Sequence, residues 1–232
     1  MKKIIVMLLL PMVFLSCISV SGLQIPTTRT KPGLDERTII AGLKEALNIG
    51  TKNAVKYVSR TDGYFKNVRI KIPMPKELSD VDKVLRRFGL GKKVDEFVET
   101  MNRGAEKAAP EAVDIFVDAI SQMTVSDGIG ILRGADNAAT RYFENKTRSR
   151  LYNVFLPIVK KVLDKVGVTS LYKFIVEAYN KFSGGKRISF DIDAYVTNKA
   201  LDGLFIMVGD EEKKIRKDPA ARVTDLLRKV FG

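Results

Sequence analysis

Residues 94–123, VDEFVETMNRGAEKAAPEAVDIFVDAISQM, decide the fold class of this chain. Apolar side chains recur every three or four residues, in one stripe before Pro110 and a second after it: Val94, Phe97, Val98, Met101, Ala105, Ala108, then Ala112, Ile115, Phe116, Ala119, Ile120 and Met123. That spacing is typical of helices with one face against a core. Pro110 fits either a kink or the first position of a new helix. The stretch therefore predicts amphipathic α-helix on both sides of the proline.

The same period extends in both directions along the chain. Upstream, one helical face that ends at the turn Asp62-Gly63 carries Ile39, Leu43, Leu47, Ala54 and Val58. Downstream, a stripe over residues 151–166 crosses Pro157, which predicts a kink or break. Further helices are predicted over residues 171–182 and from an Asp191 cap to about Lys217.

One short segment has a different period. Residues 68–72, VRIKI, alternate apolar and basic side chains as a half-buried strand does, and two prolines close the segment. A single strand has no partner for its backbone hydrogen bonds. The chain is therefore predicted to be all-α, a multi-helix bundle-like domain with at most one minor short β-hairpin or extended segment near residues 64–73.

The N-terminus is typical of an exported protein. After the opening MKK, residues 4–15 form an apolar run that suits a signal peptide and is too short to span a bilayer. We interpret residues 1–16 as a signal peptide and residues 17–33 as a polar, proline-punctuated tether. Residues 34–232 are predicted to form a single helical domain.

Cys17 is the only cysteine and directly follows the apolar run and Ser16. This arrangement resembles the bacterial lipoprotein box, which predicts acylation of Cys17 and a membrane tether. Residues 20–22, VSG, offer an alternative site for ordinary signal cleavage. Ile18, where an aspartate would favour inner-membrane retention, points to the outer membrane. The expected location is the periplasm, with the protein anchored to the outer membrane.

The chain is strongly basic, with 40 Lys and Arg against 27 Asp and Glu, a net charge of +13. Removing residues 1–16 leaves 38 basic and 27 acidic residues, a net charge of +11. This charge favours either an anionic envelope component, such as lipid headgroups, lipopolysaccharide or wall polymers, or a protein partner, and it also suits a merely solvated surface. An exported protein rarely meets nucleic acid, so a nucleic-acid partner is not expected.

Several stretches carry a family resemblance together. They are residues 116–127 (FVDAISQMTVSD), 138–143 (AATRYF), 195–205 (YVTNKALDGLF), 211–216 (EEKKIR) and 226–232 (LLRKVFG). In this order they resemble the uncharacterised bacterial family called domain of unknown function 4197, over about residues 35–232. The resemblance implies an exported or lipid-anchored helical protein. It implies no reaction and supplies no catalytic residues.

The composition excludes several chemistries. Histidine is absent, which removes the Ser-His-acid and Cys-His nucleophile systems and zinc sites built on histidine. The segment Gly128-Ile-Gly130 lacks the lysine and the hydroxyl residue of a phosphate-binding loop. No cofactor and no metal site is expected, and an enzyme is not favoured.

Candidate ligand-binding residues lie on the long C-terminal helix. Tyr195, Lys199 and Asp202 are spaced to share one helical face. They could present a phenol, an amine and a carboxylate to one ligand, or form an ordinary surface ion pair beside a tyrosine.

The same helix carries a second candidate group, and a third candidate lies upstream. Glu211, Glu212 and Arg216 form the second group, in which Glu212 and Arg216 have the favourable spacing for an ion pair. Tyr142 is a third candidate because an aromatic ring with a polar tip suits the mouth of an apolar pocket.

These patterns favour a binding or scaffold module that holds a partner or an amphiphile between its helices. The alternative is a hydrolase that acts on an envelope polymer through carboxylates, with or without a divalent cation. It predicts that acidic side chains from different helices converge in one concave site, namely Asp118, Asp127, Asp202, Glu211 and Glu212.

Overall fold

The computed structural model describes residues 35–165, 170, 172, 173, 176, 190–218, 221 and 224–231. The chain from Asp35 onward forms one compact unit. The signal peptide, the tether and acylation of Cys17 lie outside the described residues, as does most of the helix predicted over 171–182. These assignments stay predictions.

The described residues contain eight α-helices and no strand, so the all-α prediction is confirmed. In chain order they are α1 (Glu36–Val58), α2 (Ser79–Arg87), α3 (Gly91–Ala108), α4 (Ala112–Ser121), α5 (Val125–Arg133), α6 (Ala138–Lys165), α7 (Ile192–Lys217) and α8 (Asp225–Phe231). Short 3₁₀ turns lie at Lys76–Leu78 and Ala109–Glu111. The second contains Pro110, which therefore lies in the joint between α3 and α4.

Three helices begin with caps that their sequences encode. The Asp35 carboxylate accepts a hydrogen bond from the Thr38 N–H at 2.6 Å, and Asp191 caps α7 in the same way. Thr124 and Asp127 form a reciprocal capping box at the start of α5. The Asp191 cap is the one that the sequence predicted as the start of α7.

Helices α6 and α7 pack against each other in the middle of the fold, with α3 against α6 and α1 against α7. The buried face of α6 has a period of four residues: Ala139, Phe143, Thr147, Leu151, Phe155, Val159 and Leu163. Pro157 is exposed and lies within this helix, which continues to Lys165, so the predicted break does not occur. The Phe116 ring contacts Phe143 and Phe205 edge-on and joins α4 to α6 and α7.

The strand predicted from residues 68–72 does not form. Ile70 and Ile72 are buried, but the Asn102 side chain of α3 takes the place of a partner strand. Its Oδ1 accepts from the Ile72 N–H at 2.8 Å, and its Nδ2 donates to the Ile72 carbonyl at 2.9 Å. Nearby, Glu106 of α3 accepts from the backbone N–H of Tyr64 at 3.1 Å. Buried side chains of α3 therefore satisfy the backbone groups that a partner strand would otherwise have bound, and residues 68–72 form a turn and loop without a strand.

Candidate functional site

The first predicted group does not form a single constellation. Lys199 Nζ lies 3.6 Å from Asp202 Oδ2, and both side chains are exposed. Arg148 of α6 donates to the other Asp202 oxygen at 2.6 Å. The Tyr195 hydroxyl instead donates to the Pro73 carbonyl at 3.2 Å. The face therefore carries a surface ion pair and, separately, a tyrosine that anchors a loop.

Glu212 is a buried structural acceptor. Its carboxylate accepts from the N–H groups of Ala139 at 3.0 Å and Thr140 at 2.9 Å, and also from the Thr140 hydroxyl. It therefore caps the N-terminus of α6 from another helix. Arg216 donates to Glu212 and to the carbonyl of Ile131 near the end of α5. The predicted Glu212–Arg216 ion pair is present, and it joins α5, α6 and α7.

Glu211 takes part in a different set of contacts. Its carboxylate accepts from Asn53 of α1 at 3.2 Å and pairs with Lys214. The adjacent carboxylates of Glu211 and Glu212 thus bind different helices, Glu211 binding α1 and Glu212 binding α6. Glu211 and Glu212 therefore do not face one another as an acid–base pair.

Tyr142 lies at a cleft between α4, α5 and α6, which we call the α4–α5–α6 cleft. The cleft has a volume of about 210 Å³, and a groove of about 460 Å³ shares Asp127 and Tyr142 with it. Polar side chains line it from all three helices: Asp118, Gln122, Thr124, Asp127, Tyr142, Lys146 and Arg150. Polar groups that converge beside an aromatic ring are one feature of ligand sites, and this cleft is smaller and more polar than most of them.

The carboxylates of the cleft are both engaged. Asp118 accepts from Gln122 at 2.9 Å and pairs with Arg150 at 2.5 Å. Asp127 accepts from the hydroxyl and N–H of Thr124, and these hydrogen bonds lower the pKa of its carboxyl group. Both carboxylates therefore already have hydrogen-bond partners within the protein.

Two basic side chains, Lys146 and Arg141, lie beside Tyr142. Lys146 Nζ lies 5.9 Å from the centroid of the Tyr142 ring. Desolvation raises the pKa of the Tyr142 hydroxyl, with a contribution from Asp127, so the phenol stays neutral near pH 7. Within the described part of the chain, Lys146 and the exposed Arg141 make no ion pair. The cleft thus presents Lys146, and its adjoining groove Arg141, beside a neutral phenol whose hydroxyl donates to the Ala119 carbonyl at 3.5 Å.

A family model described as Protein of unknown function (DUF4197) matches residues 33–232, most of the chain. The chain belongs to the DUF4197 family. The resemblance expected from the sequence is thereby confirmed. No curated protein and no solved structure matches this DUF4197 chain. Membership supplies no reaction, so the site rests on geometry alone.

The acidic residues of the DUF4197 protein converge only in part. Asp118 and Asp127 share the α4–α5–α6 cleft, but Asp202 lines an open groove between α6 and α7. Glu211 and Glu212 make the structural contacts described above. Over the described ranges, no three Asp, Glu or Cys side chains are placed to hold a metal ion.

In the described residues, no single helix has both the length and the apolar composition needed to cross a bilayer. One bent pair, Gly91–Ser121 with Val125–Arg133 at 105°, meets the two criteria jointly.

Sequence reasoning missed Gln122 and Thr124 as cleft residues. Both lie at the junction of α4 and α5, where chain direction changes, so helical spacing does not place them. A usable signal was present on α6, where Tyr142, Lys146 and Arg150 recur every four residues. That spacing identifies one polar face of α6 but not the helices opposite it.

Proposed function

We propose that this protein is an exported, lipid-anchored binding module of the cell envelope, with the α4–α5–α6 cleft as its ligand site. The ligand is an anionic envelope component that also carries hydroxyl or amide groups. The observation that carries the proposal is the arrangement around Tyr142, where Lys146 and Arg141 make no ion pair in the described chain. The signal-like N-terminus and the net charge of +11 support the location and the sign of the ligand's charge.

The chemistry of the cleft suits binding. An anionic group gains charge-assisted hydrogen bonds from lysine and arginine, which are stronger than those between neutral partners. The face of Tyr142 offers apolar contact to a ring or an acyl segment, while its hydroxyl donates to the Ala119 carbonyl at 3.5 Å and can accept a hydrogen bond from a ligand. A general acid needs a pKa raised toward neutral pH, whereas the pKa of Asp127 is lowered.

Binding is tested by calorimetric titration of the full chain with three probes: phosphatidylglycerol micelles, lipopolysaccharide and soluble peptidoglycan fragments. We expect one probe to saturate and the variants Tyr142→Ala and Lys146→Gln each to weaken it about tenfold or more. Tyr57 and Arg60 provide a matched control, since the Arg60 guanidinium lies 4.0 Å from the Tyr57 ring on α1. Tyr57→Ala should leave the affinity unchanged. If Tyr57→Ala lowers the affinity as much as Tyr142→Ala does, or if no probe saturates, the cleft is not the ligand site.

A protein partner is the other occupant that the cleft could take. Affinity capture from the membrane fraction with the full chain, repeated with Lys146→Gln, separates the two. A protein that is captured by the parent chain and lost with Lys146→Gln, while all three probes fail, would replace the anionic ligand in the proposal.

The location is tested separately by the intact mass of protein purified from its native membrane fraction. A mass that fits residues 17–232 plus a diacylglyceryl group, and is lost in Cys17→Ala, supports the lipid anchor. A mass that begins at Leu23 without lipid would refute the anchor and leave the cleft proposal intact.

A carboxylate hydrolase is the second candidate, and one observation favours it: Asp118 and Asp127 come from different helices and line the same cleft. Incubation with each polymer probe, followed by mass analysis of the products, tests it. Release of fragments that stops with Asp118→Asn would establish the reaction. Intact probes with the parent chain would refute it.

A further inference from the structure

The corner between α2 and α3 has an unusual surface. Its sequence over residues 86–93 is RRFGLGKK, two apolar residues between pairs of basic ones. The exposed fractions are 80% for Phe88, 45% for Leu90 and 44% for Val84. Large apolar side chains exposed together usually mark an interaction site.

The corner has a fixed backbone. Gly89 has φ +79°, which favours glycine, and its N–H donates to the Arg86 carbonyl at 3.1 Å. The Leu90 N–H donates to the Leu85 carbonyl at 2.9 Å. These two bonds form the Schellman motif that ends α2, and α3 begins at Gly91. The exposed side chains are thus held on a turn of defined backbone geometry, which we call the tip.

Positive charge surrounds the tip. Residues 83–93 contain five basic and no acidic side chains. Arg86 pairs with Asp82 and Asp95, and Lys93 pairs with Glu96. Within the described chain, the exposed Arg87 and Lys92 on either side of the apolar pair make no ion pair. Charge complementarity therefore favours an anionic surface beside the apolar side chains.

From this geometry we propose that the α2–α3 corner is a membrane-contact tip. It places Phe88 and Leu90 at the acyl boundary of an anionic bilayer, while Arg87 and Lys92 bind the lipid phosphates. A bilayer accepts exposed apolar side chains without a complementary pocket, and basic side chains beside them reach the lipid headgroups. Three exposed apolar side chains are too few for a stable protein interface, which needs about 800 Å² from each partner. The tip is distinct from the Cys17 anchor and from the α4–α5–α6 cleft.

A fluorescent reporter tests this contact directly, because the chain contains no tryptophan. Phe88→Trp in the full chain gives a single emitter at the tip. Val68→Trp gives a matched emitter on the loop before α2, where Val68 is 92% exposed. Both variants keep the same N-terminus, so any membrane contact made there affects them equally.

With phosphatidylglycerol vesicles we expect the Phe88→Trp emission to shift to shorter wavelength and to be quenched by brominated acyl chains. The Val68→Trp emission should stay unchanged. Equal responses of the two reporters, or none from Phe88→Trp on vesicle-bound protein, would overturn the proposal. A shift of Phe88→Trp that follows protein concentration without vesicles would assign the tip to a protein contact and overturn it as well.

The charge requirement is tested by vesicle sedimentation of the Cys17→Ala chain. Arg87→Gln combined with Lys92→Gln should lower partitioning into anionic vesicles about thirtyfold. The control pair Lys52→Gln and Lys56→Gln removes two exposed lysines of α1 that make no ion pair in the described chain. Equal losses for the two pairs would show adsorption by net charge alone and would refute a specific tip.

Discussion

Replacing Glu212 by alanine gives the sharpest test of how this fold is held together. The Glu212 side chain is 4% exposed and caps α6, while its partner Arg216 is 18% exposed. The substitution leaves two N–H groups of α6 without their acceptor and removes the buried negative charge beside Arg216. Breaking a buried ion pair from one side costs about 3–5 kcal/mol.

The chain contains a matched control on α6. Glu144 pairs with Arg148 at the same four-residue spacing, but these side chains are 43% and 30% exposed. Exposed pairs contribute about 0–1 kcal/mol, so Glu144→Ala should be nearly neutral. The two substitutions change the same residue type and the same kind of pair, and they differ in burial and in the helix cap.

Urea unfolding followed by circular dichroism measures both variants. With a slope of about 2 kcal/mol per molar urea, Glu212→Ala should lower the midpoint by about 2 M, and Glu144→Ala by less than about 0.5 M. A small shift for both variants would mean that water or a neighbouring group satisfies the N-terminus of α6. That result would refute the capping role of Glu212.

Three further predictions concern packing, loop support and pH. A Cβ on Gly203 would lie 2.6 Å from the Tyr64 ring, so Gly203→Ala should lower the free energy of unfolding by about 1–3 kcal/mol. A Cβ on Gly130 would meet nothing within 4 Å, so Gly130→Ala should raise it by up to about 1 kcal/mol. Thermal unfolding of the two variants checks both. Asn102→Ala orphans two buried backbone groups and should cost about 2–4 kcal/mol in a urea titration. Burial and then neighbouring carboxylates raise the pKa of Asp193, so the folded state loses stability as pH rises from about 3.9 through that raised pKa. Asp193→Asn should therefore raise Tm at pH 7 and have little effect below about pH 3.9, which a Tm series across pH would show.

The helices could be predicted because their signals are local. The predicted cap at Asp191 binds a backbone group only three residues away, and the caps at Asp35 and Thr124 have the same short range. The apolar stripes needed only a period, which one sequence shows. Of the kink or break predicted at Pro157, the break does not occur, because this residue is exposed and the buried face of α6 continues on both sides of it.

The loop before α2 and the candidate site depend on partners far along the chain. The alternation at residues 68–72 was real, but Asn102, 30 residues away from Ile72, supplies the hydrogen bonds that a strand would have supplied. Tyr142 was a candidate from its chemistry alone. Its cleft partners on α4 could not be inferred, since helical spacing orders residues on one helix and does not say which helix lies opposite.

Two of the stretches that carry the family resemblance, residues 195–205 and 211–216, contain residues that packing explains. Gly203 admits the Tyr64 ring against α7, and Glu212 caps α6 while Arg216 joins it to α5. These polar and small residues have structural partners, so their presence requires no ligand. A binding role is better sought where polar side chains line a cleft and make no ion pair in the described chain. Lys146 and Arg141 beside Tyr142 meet that condition, whereas the candidates on α7 are bound to neighbouring helices, to a loop or to each other.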